Sequence, residues 1–96
     1  MGKKEIIKKL KADKVNLSKF NIKSLALFGS IARGEEASGS DIDVMVEFQG
    51  ASTFDQYMSL RFYLEEVLGS RIDLLTRKGI RKEILPYVEK EAIYVS

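Results

Sequence analysis

The sequence holds 96 residues, 45% apolar and 31% charged, with a net charge of +2. That composition fits one small globular domain, residues 1–96, rather than a disordered segment. It contains no Cys and no His, which excludes disulfides, thiolate zinc sites, a Ser-His nucleophile pair and imidazole metal ligands. Any bound metal must therefore be held by oxygen, which favours Mg²⁺, Mn²⁺ or Ca²⁺. No apolar run approaches membrane-spanning length and no signal peptide is visible, so a cytoplasmic protein with no membrane contact is expected. Met1-Gly2 fails the myristoylation pattern because Ile6 stands where Ser or Thr is needed.

Residues 3–12 place Ile6, Ile7 and Leu10 at helical spacing among lysines, which predicts a short amphipathic helix. Residues 1–23 carry eight Lys against Glu5 and Asp13. A solvated helix face explains this better than a basic surface for an acidic partner or nucleic acid, because the lysines of residues 3–14 have no aromatic residue among them. Asp13 to Ser18 reads as a polar connection. Residues 22–28 read as a strand whose later part is apolar throughout, as in a buried strand. Gly29 breaks it, and Ser30 to about Arg33 reads as a short helix followed by a Gly/Ser/Glu loop to Ser40. Residues 41–48 alternate, with Ile42, Val44, Val46 and Phe48 on one face and Asp41, Asp43, Met45 and Glu47 on the other.

The longest predicted helix spans 53–68, with Ser52 and Asp55 resembling a capping box. Its buried stripe is expected from Phe54, Tyr57, Met58, Leu60 or Arg61, Leu64 and Leu68, with Gly69 ending it. Residues 71–76 predict a third strand on which Asp73 faces away from Ile72 and Leu74. Residues 80–91 look helical with a break at Pro86, and 92–95 could close the sheet as an edge strand. Helices alternating with short strands predict an α/β (α+β) fold, a small mixed sheet flanked by helices.

The chemistry concentrates between Leu27 and Val46. A strand turning directly into a helix points free N–H groups outward, where they favour an anion such as phosphate. Gly29 allows close backbone approach, Ser30 adds a hydroxyl donor, and Arg33 brings a guanidinium one turn later. Gly-Ser alone is an ordinary turn. Asp41 and Asp43, two apart on a strand, leave the same face, and their repulsion is costly unless a cation intervenes. Asp73, within an Ile-Asp-Leu-Leu run, joins them if its strand lies beside 41–48. Three carboxylates can hold two metals, and Asp73 could also accept the nucleophile's proton. The competing reading of Asp73 is a structural carboxylate bonded to Arg71 or a nearby amide. Gly-Ser, ten residues, then Asp-x-Asp arises by chance in about one chain in a thousand of this length, at roughly 6% usage per residue.

Gly29-Ser30-x10-Asp41-x-Asp43, followed by a single Asp73, resembles the DNA polymerase β-like nucleotidyltransferase superfamily. The text Leu-Phe-Gly-Ser-Ile-Ala-Arg-Gly-Glu, then Ser-Asp-Ile-Asp-Val-Met-Val-Glu-Phe, is similar to its minimal nucleotidyltransferase (MNT) branch. So is Leu68-Gly-Ser-Arg-Ile-Asp-Leu74. The resemblance implies a polymerase β-like fold, two Mg²⁺ ions and ATP as donor. It implies metal binding by Asp41, Asp43 and Asp73, and triphosphate binding by Gly29 and Ser30, with Arg33 and Ser40 completing the nucleotide-binding set. The implied reaction is attack of a hydroxyl on the α-phosphate with pyrophosphate leaving.

MNT proteins are often encoded beside a HEPN-domain toxin and adenylylate a tyrosine on it, acting as its antitoxin. A HEPN partner is therefore implied. A chain with so little beyond the catalytic core needs a partner or self-association to place its acceptor, and nucleic acid is not expected as a direct substrate. The alternatives are an antitoxin that only masks its partner and a small-molecule nucleotidyltransferase acting, for instance, on an aminoglycoside.

Overall fold

The computed structural model describes residues 2–35 and 41–96. Four strands, β1 (Ile22–Phe28), β2 (Ile42–Phe48), β3 (Ile72–Thr76) and β4 (Ile93–Tyr94), form one mixed sheet in the order β3-β2-β1-β4. β1 is antiparallel to β2 and β4. β2 and β3 are parallel, and α4 (Phe54–Leu68) makes the crossover that parallel neighbours require. The remaining helices are α1 (Lys3–Ala12), α2 (Lys14–Leu17), α3 (Gly29–Ala32) and α5 (Leu85–Glu91). The expected class, a small mixed sheet flanked by helices, is the one observed. None of the described helices is long and apolar enough to cross a membrane.

The alternation in β2 sorts its side chains as expected. Ile42, Val44, Val46 and Phe48 enter the main core with Leu25 and Leu27 of β1 and Ile72 and Leu74 of β3. Ile6 and Leu10 of α1, Leu17 of α2 and Leu60, Leu64 and Leu68 of α4 cover that face. Burying each such aliphatic side chain contributes ~1.5–3 kcal/mol relative to leaving it in water. The other face is only partly covered: Ala26, Phe28 and Met45 pack against Val88 of α5. β1 is thus covered on both faces over Leu25–Phe28, which is why that run is continuously apolar. The uncovered part of the second face is where Asp43 and Asp73 stand.

Several local expectations are corrected. The connection at 13–18 is instead α2, followed by a 3₁₀ turn at Ser18–Phe20. Leu17 is buried, and Phe20 packs on Tyr63 with ring centroids 5.1 Å apart, so this segment is fastened by its apolar side chains. The helix expected over 80–91 is confined to Leu85–Glu91, with Pro86 in its first turn, where a missing N–H costs nothing. A 3₁₀ turn occupies Arg77–Gly79, and the Thr76 hydroxyl accepts from the Gly79 N–H. The closing strand is Ile93–Tyr94 rather than 92–95.

In α4 the buried stripe is Leu60, Leu64 and Leu68, while Phe54 is 75% exposed. Tyr57 is half-buried, and its hydroxyl donates to the Leu74 carbonyl, tying α4 to β3. The capping box is formed by Thr53 and Gln56 rather than by Ser52 and Asp55. The Thr53 hydroxyl accepts from the Gln56 N–H at 3.1 Å, and the Gln56 side chain accepts from the Thr53 N–H at 3.2 Å. Thr53→Ala is expected to cost about 1 kcal/mol, a drop of ~4–8 °C in Tm for a chain of this size. Ser52→Ala should change Tm far less. Thermal melts of the two variants side by side check the assignment.

Candidate active site

Strand register brings together residues far apart in sequence. Asp43 and Asp73 are direct partners across the parallel β2–β3 pair. Asp43 also pairs with Phe28, the last residue of β1, on its other side. Gly29 follows at once, so the glycine turn lies against the Asp43 side chain. Both aspartates lie on the face opposite the main core, because their neighbours Ile42, Val44, Ile72 and Leu74 are all buried in that core. The sheet therefore holds two carboxylates side by side at the carboxyl end of β1 and the amino ends of β2 and β3.

This pairing shows in the electrostatics. The Asp43 carboxyl is pushed up from 3.8 to about 6. Burial is the first cause. The others are the charge of Asp73, a side-chain hydrogen bond to it, and the charge of Asp41, with Arg33 opposing weakly. When both carboxylates are ionised, each pays for the other's presence. A divalent cation is the natural relief for two carboxylates fixed by neighbouring strands, and its ligands would be hard oxygens. The donor set therefore fits the cation that the sequence pattern implies.

Asp41 is not gathered with the other two. It is exposed and sits just before β2, and its Oδ1 lies 3.6 Å from Nε of Arg71. Among the described residues no three acidic side chains form one ready metal-binding group. The structure thus unites Asp43 with Asp73 and leaves Asp41 on a surface ion pair, a kind of contact that contributes little to stability and is readily given up. Arg71, considered on sequence as a partner for Asp73, is the partner of Asp41.

Of the expected phosphate donors, Gly29 lies against the Asp43 carboxylate and Arg33 is near enough for its charge to act on it. Gly29 has φ +70°, and a Cβ placed on it would run into the Asp43 carboxylate, with Cγ only 3.0 Å away. No residue with a side chain can sit there unless Asp43 moves. Ser30 is half-buried within α3. Arg33 is the residue that ends α3, and it is exposed. The Gly29 N–H is not directed outward to solvent, as the turn alone suggests. It donates to Oε1 of Glu91 at 2.8 Å, while Nη1 of Arg33 donates to Oε2 of the same carboxylate at 3.2 Å. Ser40 lies outside the described residues.

The profile of the nucleotidyltransferase domain family matches residues 3–95. The chain belongs to this family. The nucleotidyltransferase is 47% identical to a candidate protein adenylyltransferase of Methanocaldococcus jannaschii, covering 96% of this chain and 93% of the relative. It is 34% identical to the protein adenylyltransferase MntA of Thermococcus cleftensis, covering 80% and 78%. Among solved structures, a candidate minimal nucleotidyltransferase superposes with a TM-score of 0.85 at 29% identity, covering 97% of this chain and 95% of that one. A likeness of fold, at 17% identity and a TM-score of 0.61, extends to a complex of a tri-AMPylated Shewanella oneidensis HEPN toxin with its MNT antitoxin, covering 91% and 71%. The expected MNT membership and enzyme class both hold.

Two features of this nucleotidyltransferase escape a reading of its sequence. Glu91 looks like an ordinary helix-end carboxylate, and only the β1–β4 register, Ala26 opposite Tyr94 and Leu27 opposite Ile93, brings it beside Gly29. The second is a shallow cavity of about 280 Å³ at the other end of β2, whose lining includes Glu47, Thr76, Arg77 and Lys78. It does not touch the aspartates. Nothing in the local sequence signals it, since it depends on the turn after β3 folding back beside β2.

Proposed function

We propose that this nucleotidyltransferase, working as the single domain 1–96, transfers AMP from ATP to a tyrosine hydroxyl of a HEPN-domain toxin and so acts as its antitoxin. The observation that carries this reading is the cross-strand pairing of Asp43 and Asp73 with Gly29 packed beneath Asp43. The similarity to protein adenylyltransferases supports the choice of AMP and of a protein acceptor. The fold-level likeness to MNT–HEPN complexes supports the partner.

Asp43 and Asp73 would hold divalent cations, with Asp41 turning to them from Arg71. Held there, two Mg²⁺ ions would supply charge neutralisation for the reaction. Ser30 and Arg33 would bind the β- and γ-phosphates and so orient the α-phosphorus for in-line attack, a reaction that depends mainly on positioning and charge stabilisation. Ser40, just before Asp41, would border the same nucleotide. The acceptor oxygen forms a bond to the α-phosphorus as the bond to the bridging oxygen breaks. Pyrophosphate leaves with that electron pair, and the hydroxyl proton passes to the Asp73 carboxylate.

The test is incubation of the protein with α-labelled ATP, Mg²⁺ and a HEPN-domain toxin. Label is expected on a toxin tyrosine and is expected to vanish with Asp43→Asn. A tight complex formed equally by wild type and variant, with no label transferred, would show that masking alone neutralises the toxin. Label appearing on an aminoglycoside but never on protein would place the acceptor among small molecules.

A further inference from the structure

We propose that Glu91 is a positioning residue for the nucleotide site, fixing the Gly29 turn and aiming the Arg33 guanidinium; the inference rests on the reading that this site takes a nucleoside triphosphate. The strand register explains how a residue 62 positions away arrives there. In the β1–β4 pair residue 26 faces 94 and residue 27 faces 93, so continuing the same register past both strand ends sets 29 against 91. α5 ends at Glu91, which delivers the carboxylate to the turn just before the chain enters β4.

The contacts are bidentate in effect. One oxygen accepts from the Gly29 amide at 2.8 Å and the other from Nη1 of Arg33 at 3.2 Å. Arg33 is gripped on a second edge as well, since its Nε donates to Glu35 at 3.1 Å. A free arginine side chain surrenders rotamer entropy when it is ordered on a ligand. Here part of that ordering is made in advance, chiefly by Glu91, the less exposed of the two carboxylates. Among the described residues Nη2 carries none of these contacts, which leaves that edge of the guanidinium fork for a phosphate oxygen. The amide bond to Glu91 matters separately. Gly29 is in the left-handed region and abuts the Asp43 carboxylate, so anchoring its N–H fixes the backbone against which Asp43 rests.

The opposite role is also physically sensible. A carboxylate on donors meant for phosphate could be an internal competitor that the nucleotide must displace. The two roles give opposite signs. Equilibrium binding of ATP and of inorganic tripolyphosphate, each with Mg²⁺, would be measured for wild type, Glu91→Gln, Glu91→Ala, Arg33→Ala and Glu91→Ala/Arg33→Ala. Positioning predicts about tenfold weaker binding of both ligands by Glu91→Ala. Glu91→Gln, which keeps an acceptor for the Gly29 amide, should lose about threefold. Adding Glu91→Ala to Arg33→Ala should cost distinctly less than tenfold, because one effect acts through the other. General loosening of the fold would instead make the two effects additive.

Equal or tighter tripolyphosphate binding by Glu91→Gln overturns the proposal, and that variant decides alone if Glu91→Ala does not fold. Failure of the wild type to bind ATP with Mg²⁺ would instead strike the nucleotidyltransfer reading itself. Wild-type binding with indifferent Glu91 variants strikes only this one.

Discussion

Asp43→Asn is expected to lower nucleotidyl transfer by at least about a thousandfold while raising the melting temperature of the metal-free protein at neutral pH. The two effects share a cause. A thousandfold loss is ~4 kcal/mol of barrier, a reasonable cost for removing a carboxylate on which metal and triphosphate converge in the proposed reaction. The same carboxylate is a burden in the metal-free fold. Its pKa rises from 3.8 to about 6, foremost by burial and then by the charge of Asp73. In the window between those values the folded state binds more protons than the unfolded state. Stability therefore falls as pH rises from about 4 to about 6 and stays lower above it. Asparagine has no charge to bury, so the variant should lose this fall.

Melts in EDTA across pH 4–8 read the difference directly, and a Tm below wild type at pH 7.5 would contradict the argument. Millimolar Mg²⁺ or Mn²⁺ should raise the wild-type Tm at pH 7.5, since a ligand bound only to the folded state stabilises it. It should leave Asp43→Asn almost unmoved.

The parts of the site that could be read from sequence are those set by strand periodicity. The alternation through Ile42–Phe48 places Asp41 and Asp43 on one face, and Ile72-Asp-Leu74 places Asp73 opposite its neighbours. The parallel β2–β3 register then makes Asp43 and Asp73 partners. Periodicity gives faces but not neighbours, and the remaining features depend on neighbours. Asp41 and Asp43 share a face, yet Asp41 reaches Arg71 because only Asp43 is flanked by strands on both sides. Glu91 depends on the register of a two-residue strand, too short to carry a pattern. Phe54 lies in the first turn of α4, to one side of the Leu60-Leu64-Leu68 stripe around the helix, and stays exposed. The cap shifted by one residue for a comparable reason. Ser52 and Thr53 are both good caps, and only Thr53 has a Gln three residues on to complete the reciprocal pair. Residues 14–17 lack a sustained apolar period, and Leu17 alone anchors them.

Gly29→Ala is expected to be the most disruptive glycine-to-alanine change among the described residues. Two costs add at this position. The left-handed backbone, φ +70°, disfavours any Cβ by roughly 1–2 kcal/mol. The new methyl would also overlap the Asp43 carboxylate, so either Asp43 or the turn must move. Together these should destabilise the protein by about 2–3 kcal/mol, a drop of more than ~10 °C in Tm at this chain length. Transfer should fall by a further factor of about a hundred in the protein that remains folded, because displacement of a reacting-site ligand by about 1 Å costs that much. Gly69→Ala separates the two costs. Gly69 has nearly the same φ, +63°, as the C-cap of α4, but nothing lies within 4 Å of the added methyl. It should lose ~1 kcal/mol of stability and keep its activity per folded molecule. If Gly29→Ala and Gly69→Ala lost stability equally and both retained full transfer, the close packing of Gly29 on Asp43 would have no part in the chemistry. The expected split, strain at both positions and loss of transfer at one, would tie the glycine of the turn to the position of a single carboxylate oxygen.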